Sequence, residues 1–382
     1  MKYRMDEITE SCLGKMLDSK KNKGEYQPYL ANINVRWGSF DLNNLSLMRF
    51  EPNENDRYGI KYGDLIMCEG GEPGRCAIWR DELPNMKIQK ALHRIRPNTN
   101  LVDVEYLYYW FLLSGKNDLL RRHFTETTIK HLPGETLKQL VIDLPDMKIQ
   151  KNISTVLRSI DKKITVNEKI NDNLEQQAAA LFSSLYNRSN TEVRYTDLIQ
   201  ILGGGTPKTG ETAYWNGNIA FFTPKDVGTP YTFITEKTIT EEGLSHCNSR
   251  LYPVNTVFVT ARGTVGKVGL SGVPMAMNQS CYALVGKETH QLLVYFYTLK
   301  VVDKLKHKAS GAVFDAITTR DFESEQIMKL SDDDARAFLC VAEPMFQDIL
   351  NNSIENLRLS TLRDFLLPKL MSGEIDVSNI QF

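Results

Sequence analysis

The 382-residue sequence lacks several features that would assign it to a common class of protein. It has no apolar run near the roughly 18 residues that a membrane-spanning helix needs, and its first residues lack the apolar core of a signal peptide. Its six cysteines form no CxxC pair, which favours reduced thiols over a disulfide framework or a zinc site. We therefore expect a cytoplasmic protein that makes no membrane contact.

An excess of positive charge is also absent. The 46 Lys and Arg residues are balanced by 47 Asp and Glu residues, so the chain as a whole does not attract polyanions, and any nucleic-acid contact must come from local patches. Residues 331–382 hold 4 basic and 9 acidic side chains, which leaves the rest of the chain mildly basic. The length suggests two or three domains, and the hydrophobic content of 42% is enough for a sizeable core.

Motifs that carry catalysis are missing as well. There is no [DNS]PP[YFW] signature of amino-methyltransferases, and Ala261 and Val268 stand where a phosphate-binding loop needs Gly and Ser or Thr. The six histidines show neither HExxH nor paired metal spacing. The triplet at 203–205 could cradle a phosphate, but without GxGxxG a flexible turn is favoured. We expect no catalytic residue, no metal site and no cofactor bound by this chain.

The chain contains an internal repeat with a period near 190 residues. Such a period is far above that of solenoid repeats, so it indicates one duplication or two related modules. The matched pairs are Gly71 with Gly263, Gly74 with Gly266, Gln89 with Gln279, and Ile95 with Val285. Each half combines short strand-like runs and Gly-rich turns with a buried helix, at 104–113 and 291–299. The expected class is α+β with a pseudo-two-fold internal repeat.

Two long amphipathic segments follow the modules. A heptad pattern predicts a helix over 146–187, about 60 Å long at 1.5 Å per residue. Lys163, Asn167 and Ile170 lie on the same register, with Leu157, Ile164, Ala178 and Leu185 alongside. A second helix is predicted after the capping residues at 331–334, with a kink at Pro344 or a start beyond it. The predicted seam consists of Ile149, Ile153, Val156, Ile160, Leu174 and Leu181 in the first helix and Phe346, Leu350, Leu357 and Leu366 in the second.

The most economical packing of these helices is against each other, as an antiparallel coiled coil between two globular modules. The predicted segments are a first module at 1–145, a first spacer helix at 146–190, a second module at 191–330, and a second spacer helix with the C-terminal tail at 331–382.

Polar and glycine-rich turns recur in both modules and are candidates for nucleic-acid contact. Glycine lets the backbone approach a ligand closely, Arg and Asn are common readers of base edges, and Lys neutralises phosphates. The candidates are Asn32, Asn34, Arg36, Gly71, Gly74, Arg75, Gly204, Thr206, Thr223, Lys225, Arg262, Gly263, Gly266 and Lys267. The alternative is that they are polar turns and solvated loop charges. The same two interpretations apply to the basic clusters at 121–123 and 304–308.

The layout resembles the specificity subunit of type I restriction–modification enzymes. In the second module the resemblance is carried by LGGGTP at 202–207, YW at 214–215, IAFFTPKD at 219–226 and ARGTVGKVG at 261–269. The first module is similar to another subtype, through YLANINV at 29–35 and GDLI at 63–66. The segment LLPKLMSGEI at 366–375 resembles the end of the family's second spacer helix. The resemblance covers essentially the whole chain.

This resemblance implies two target recognition domains that each read one half of a bipartite double-stranded DNA sequence, with the helix pair as a ruler between them. It also implies partners, which are two adenine methyltransferase subunits and restriction/translocase subunits. S-adenosylmethionine, ATP and Mg are then expected in those partners. The first module lacks the GGTP motif, and Glu69-Gly70 replaces Ala261-Arg262, so the two half-sites are expected to differ.

Two other classes of function remain open at this point. One is a restriction-type enzyme with its own active site, against which the missing catalytic motifs count. The other is a coiled-coil adaptor or scaffold without DNA specificity, against which the duplicated polar glycine turns count.

Overall fold

The computed structural model describes residues 1–18, 20–126, 130–228, 230–308 and 316–380. Its backbone falls into two units, one formed by Met1–Ile164 with Arg358–Phe382 and the other by Thr165–Leu357. Each unit combines small sheets with helices, so the predicted α+β class is confirmed.

The first unit contains two small sheets, with strand orders β2-β8-β5-β6 and β4-β3-β7, besides two-stranded pairs. Its central strand β5 is an entirely buried apolar run, as expected for a strand covered on both faces. The strands are β1 Lys2–Arg4, β2 Thr9–Leu13, β3 Glu25–Leu30, β4 Ser46–Phe50, β5 Leu65–Cys68, β6 Cys76–Ile78, β7 Lys87–Ile88, β8 Leu92–Pro97, β9 Thr125–Glu126, β10 Lys130–His131 and β11 Val141–Asp143. The shorter helices are α1 Met5–Ile8, α2 Asn55–Tyr58, α3 Val104–Lys116 and α4 Gly134–Gln139.

The second unit contains the corresponding sheets, with strand orders β13-β20-β17-β18-β15 and β16-β14-β19. Its strands are β12 Thr191–Arg194, β13 Ile199–Gly203, β14 Trp215–Phe222, β15 Tyr231–Thr232, β16 Lys237–Ile239, β17 Val257–Thr260, β18 Val268–Ser271, β19 Met275–Met277, β20 Cys281–Gly286 and β21 Gln326–Lys329. Its shorter helices are α6 Tyr195–Leu198, α7 Glu241–Ser245, α8 Gln291–Lys308 and α9 Thr319–Glu323.

The two sets of sheets share the same strand order, apart from the additional strand β15 at the edge of the larger sheet of the second unit, and this confirms the predicted repeat. In both units the three-stranded sheet contains one antiparallel and one parallel pair. The strand register also corrects the sequence match by one residue. Ile95 pairs with Leu65, and the residue that pairs with the equivalent Val257 is Leu284, so Ile95 corresponds to Leu284 and not to Val285.

One buried helix packs on each larger sheet. In the first unit α3 begins after Asp103, whose side chain accepts a hydrogen bond from the Tyr106 amide at 2.9 Å and caps the helix. Its aromatic and aliphatic side chains, with those of α1 and β5, form the main core of that unit. The equivalent core of the second unit is formed around α8. Both helices are longer than the predicted 104–113 and 291–299.

The two long helices are α5, Met147–Arg188, and α10, Asp332–Met371. Helix α10 passes through Pro344 without ending, so the alternative of a start beyond this proline is wrong. A proline inside a helix removes one backbone hydrogen bond and costs about 3 kcal/mol. Helix α10 tolerates this loss because Ala342 and Phe346, on either side, are buried in the core of the second unit.

The two helices contact each other in both units, and two contacts in the second unit show that they run antiparallel. In the first unit Arg363 Nη1 donates to Asp161 Oδ1 at 2.8 Å. In the second unit Asn167 Nδ2 donates to Asn356 Oδ1 at 2.8 Å, and Arg188 pairs with Asp334. As the residue number increases along α5, the residue number of its partner on α10 decreases, so the two helices run in opposite directions.

The buried stripe of α5 follows a strict heptad, but its register differs from the predicted one at alternate positions. Leu157 and Asn171 are buried, whereas Val156 is half-buried and Ile170 and Lys163 are exposed. Asn167 lies on the seam as predicted and is fully buried. Of the predicted seam residues, Ile153, Ile160, Phe346 and Leu350 are buried, and half-buried positions are held by Ile149, Val156, Leu174, Leu181, Leu357 and Leu366.

Candidate nucleic-acid interface

The two predicted glycine turns have the same backbone. The turn from 69 to 75 joins β5 to β6, and the turn from 261 to 267 joins β17 to β18. The Gly74 amide donates to the Cys68 carbonyl at 3.1 Å, and the Gly266 amide donates to the Thr260 carbonyl at 2.9 Å. These bonds show that the turns occupy equivalent places in the two modules.

Glycine is required in these turns for two different reasons. Gly71, Gly74, Gly263 and Gly266 all have positive φ values, between 74° and 96°, which other L-residues rarely adopt. At Gly74 and Gly266 space is also restricted, because a Cβ atom would lie 2.7 Å from Leu120 Cδ1 or 2.6 Å from Lys306 Cε. The glycines therefore shape the turns, whose tips carry the side chains that face outwards.

Arg75, predicted to contact DNA, is engaged inside the first module. Its Nη1 donates to Glu72 Oε2 at 2.8 Å, and its Nη2 donates to the carbonyl and side-chain oxygens of Asn32 at 3.1 and 3.0 Å. The Asn32 amide nitrogen in turn donates to the Gly70 carbonyl at 2.7 Å. Arg75 and Asn32 thus tie the turn to its neighbouring loop, and their contact with DNA stays a prediction.

The second turn differs in how its cations are engaged by the described residues. Arg262 and Lys267 are exposed, and no described residue forms a hydrogen bond or an ion pair with either side chain. Lys306, also exposed, lies beside Gly266. Thr264 tethers this turn instead, because its hydroxyl donates to the Pro224 carbonyl at 3.0 Å. The second turn therefore presents a local basic patch of Arg262, Lys267 and Lys306.

Asn34 has a structural role within the first module, and its prediction as a base reader stays a prediction. It is 5% exposed, its Oδ1 accepts from the Ala31 amide at 2.9 Å, and its Nδ2 donates to the Asp41 carbonyl. Asp226 holds the equivalent turn of the second module, where its Oδ2 accepts from both the amide and the hydroxyl of Thr223. The Thr223 hydroxyl is therefore occupied as well.

Two basic candidates beside these turns remain exposed. Arg36 donates to the Ile33 carbonyl, and its Nη2 lies 3.7 Å from Asp41 Oδ2. Lys225 Nζ lies 3.5 Å from Glu236 Oε2. Exposed ion pairs of this kind contribute about 0–1 kcal/mol, so both cations can exchange their partner for a phosphate.

Two glycines of the triplet in the second module, Gly204 and Gly205, pack against protein. A Cβ atom on Gly204 would lie 2.2 Å from the Asn278 carbonyl oxygen, and one on Gly205 would lie 2.6 Å from the Asn248 nitrogen. This close approach brings the Thr206 hydroxyl to Gln279 Oε1, to which it donates. The interpretation as a turn is favoured over a phosphate cradle.

A further turn, before β8 and β20, lies beside each glycine turn. Gln89 Oε1 accepts from the Ala91 amide at 3.1 Å, and Asn278 Oδ1 accepts from the Ser280 amide at 3.0 Å. Gln89 therefore corresponds to Asn278, not to Gln279 as the sequence match predicts. The exposed residues at the tips, Lys90 and Gln279, were absent from the predicted candidates because this one-residue shift hides their equivalence.

The two basic clusters differ in whether their cations pair with carboxylates of the protein. The 3-10 turn Arg121–His123 is largely exposed. In the other cluster, Lys304 Nζ lies 3.2 Å from Glu325 Oε2, and Lys308 also pairs with this buried carboxylate. Lys304 and Lys308 thus neutralise Glu325, and Lys306 is the member of the cluster that adds to the basic patch.

The aromatic pair Tyr214 and Trp215 packs within the second module. The Tyr214 ring stacks on His246 at 4.9 Å, Trp215 packs edge-on against Phe221, and its Nε1 donates to the Lys208 carbonyl.

Within the described ranges, no group of three or more His, Cys, Asp or Glu side chains is arranged to hold a metal ion. Burial raises the pKa of the Cys281 thiol to about 12 and that of Cys76 well above its ordinary value, so both thiols stay protonated near neutral pH. No described helix is both long and apolar enough to cross a membrane.

Comparison with known proteins identifies a family. The sequence model described as "Type I restriction modification DNA specificity domain" matches residues 1–176 and 187–329. The type I restriction enzyme HindI specificity subunit of Haemophilus influenzae is 24% identical, with 97% of this chain and all of that protein covered. The MjaIX specificity subunit of Methanocaldococcus jannaschii is also 24% identical, over 83% of this chain and 79% of that protein.

A solved structure has the same fold. It is the S subunit of a type I restriction–modification system from M. genitalium, which aligns with a TM-score of 0.58 at 16% identity. The alignment covers 97% of this chain and 95% of that one.

Proposed function

The chain belongs to the type I restriction modification DNA specificity family, and from this premise we propose that each of its two modules reads one half of a bipartite DNA target. The chain is accordingly a DNA-specificity subunit and not itself an enzyme. The observation that carries the proposal of two half-sites is the pair of equivalent turns with different exposed side chains. An adaptor without DNA specificity is set aside, because the matched family is one of DNA specificity.

The second module supplies the clearest DNA-facing chemistry. Its patch of Arg262, Lys267 and Lys306 can neutralise phosphates, which fixes a protein on the duplex, and an Arg can also make two hydrogen bonds to guanine. In the first module Arg75 of the equivalent turn is paired with Glu72. Side chains beside this turn, such as Arg36 and Lys90, would therefore make the contacts with DNA. Different side chains on one scaffold support different half-sites.

The partners belong to the proposal as well. Two methyltransferase subunits and restriction/translocase subunits would assemble on this chain, in the cytoplasm where they meet duplex DNA. S-adenosylmethionine, ATP and Mg would be held by those partners. Apolar side chains exposed on the long helices support a protein-docking role for these helices, since large exposed apolar residues are concentrated at interfaces. They are Val166, Ile170, Val341, Leu362 and Phe365.

The experiment is a methylation profile over a library of randomised bipartite duplexes, with the methyltransferase partner assayed in the presence and absence of this chain. We expect adenine methylation at one bipartite sequence only when the chain is present. A double variant, Arg262→Ala with Lys267→Ala, should weaken this methylation. Arg194→Ala, which removes an exposed cation of β12 outside the turn, is the matched control. A profile that is independent of this chain would contradict the proposal.

A further inference from the structure

Gln279 lies at the tip of a tight turn in the second module. Asn278 closes the turn on both sides, since its Oδ1 accepts from the Ser280 amide at 3.0 Å and its carbonyl accepts from the Cys281 amide at 3.3 Å. The Gln279 side chain is exposed. The turn is therefore rigid, and its outermost side chain is the one that a ligand would meet.

Two other loops position this turn. The Ser280 carbonyl accepts from the amides of Ala261 and Arg262 at 2.8 and 3.3 Å, which joins it to the basic glycine turn. On its other side the Thr206 hydroxyl donates to Gln279 Oε1. Gln279 thus stands between the GGGTP loop and Arg262.

The hydrogen bond from Thr206 occupies the oxygen of the Gln279 amide. With Oε1 occupied as an acceptor, the Gln279 Nε2 group keeps its two hydrogens, and no described residue accepts from it. A donor held in this way matches an acceptor on a base edge, such as N7 of a purine, O6 of guanine or O4 of thymine. A complementary acceptor on DNA would satisfy the free donor.

The first module places a different side chain at the same position. Gln89 closes the turn as Asn278 does, and the tip residue is Lys90, whose amide donates to the Lys15 carbonyl at 2.9 Å. The Lys90 side chain is exposed, and no described residue pairs with it. An ammonium group at this site is suited to the N7 and O6 acceptors of guanine.

We propose that Gln279 and Lys90 are specificity-determining residues that each read one base pair in the half-site of their own module, and that Thr206 is a positioning residue for Gln279. This inference rests on the proposed function and names residues that carry it.

The test uses the full chain in complex with its methyltransferase partner and a library of randomised bipartite duplexes. Gln279→Ala should lower discrimination by roughly tenfold at one base pair of one half-site. Gln279→Glu, which replaces the donor by an acceptor, should shift the preference at that same pair towards bases with an amino group. Lys90→Ala should affect one pair of the other half-site.

Thr206 is tested by a matched pair of variants. Thr206→Val keeps the shape but removes the hydroxyl, so it should relax the base pair that Gln279 reads. Thr206→Ser keeps the hydroxyl and should restore the wild-type profile. Thermal unfolding of each variant is measured in parallel, and a fold defect would affect the whole half-site instead of one pair.

The outcomes separate this inference from the proposed function. A wild-type complex with no preferred bipartite sequence would overturn both. A wild-type preference that persists in Gln279→Ala and Lys90→Ala would overturn the inference alone. Loss of the entire half-site in a variant of unchanged thermal stability would contradict the assignment of one base pair per residue. A wild-type profile for Thr206→Val would remove the positioning role.

Discussion

The two glycine turns differ in where they place their cations, although their backbones are the same. Arg75 and Lys267 occupy equivalent positions, since their carbonyls accept from the equivalent amides of Cys68 and Thr260 at 2.8 and 3.0 Å. Arg75 is used inside the first module, whereas Lys267 faces outwards. The comparison teaches that the backbone of the turn is set by its glycines and strand ends, while the exposed chemistry is set independently in each module.

The largest expected effect concerns the scaffold that the turns share. Met67 and Val259 occupy equivalent, fully buried positions in β5 and β17. Met67→Asp and Val259→Asp would each bury a charge without a partner, and each should destabilise its own unit by more than about 3 kcal/mol. Hydrogen exchange measured by mass spectrometry should show loss of protection in one unit per variant. Equal loss in both units would contradict the independence of the two scaffolds.

A smaller effect is expected from the side chains that close the loop beside each turn. Asn34→Ala and Asp226→Ala each remove the acceptor of a partly buried amide, which costs about 1–3 kcal/mol. Denaturant unfolding should show losses of similar size. Lys225→Ala, in the same loop but exposed, should leave stability unchanged. A marked loss of stability in only one of the two loop variants would show that Asn34 and Asp226 do not have equivalent roles.

Arg75 and Lys267 sharpen the comparison directly. Arg75→Ala removes hydrogen bonds of a charged group and should reduce stability by about 1.5–3 kcal/mol. Lys267→Ala should leave stability unchanged, weaken binding to all DNA sequences alike, and lower the slope of log affinity against log salt by about one unit. Unfolding curves and binding at two salt concentrations check both. A loss of stability in Lys267→Ala would show that its side chain is also a tether.

The smallest effect is a difference in acid sensitivity. His93 is buried in β8 and corresponds to Tyr282 in β20. Burial lowers the pKa of His93, and this outweighs the hydrogen bond to the Leu132 carbonyl and the charge of Glu69, which raise it. Because the folded pKa lies below the unfolded value of about 6.5, His93 contributes stability above that pH, and the contribution is lost as pH falls through the folded pKa.

Hydrogen exchange around β8 should therefore increase on acidification, with no matching change around β20. His93→Gln should reduce this difference. Equal pH responses of β8 and β20 would contradict the assignment to His93.

The sequence predicted those features that glycine and apolar periodicity encode. The four turn glycines were matched because positive φ values exclude most other residues, and the α+β class with two long helices followed from hydrophobic patterns. The register of the seam was less certain, because Val156 and Ile170 are apolar like true seam residues. Leu157 was predicted to lie alongside this register, and the packing shows that it and the unpredicted Asn171 are the buried positions.

Side-chain direction in the loops could not be predicted from the sequence. Asn34 and Arg75 are residue types that read bases. The residue type alone, however, does not show whether a polar side chain faces inwards or outwards. Lys90 and Gln279 were missed because their turns differ by one residue in spacing. Equivalent hydrogen bonds in the two modules identify these tip positions, which an alignment of residue types does not.

The measurement that tests the central claim most directly is the methylation profile of Arg262→Ala over randomised bipartite duplexes. Arg262 is the exposed cation of the second turn whose counterpart in the first module is Gly70. The account predicts a loss of about 1–3 kcal/mol in discrimination at one position of one half-site, with the other half-site unchanged. Relaxed preference in both half-sites, or an unaltered profile in both, would contradict the claim that each module reads its own half.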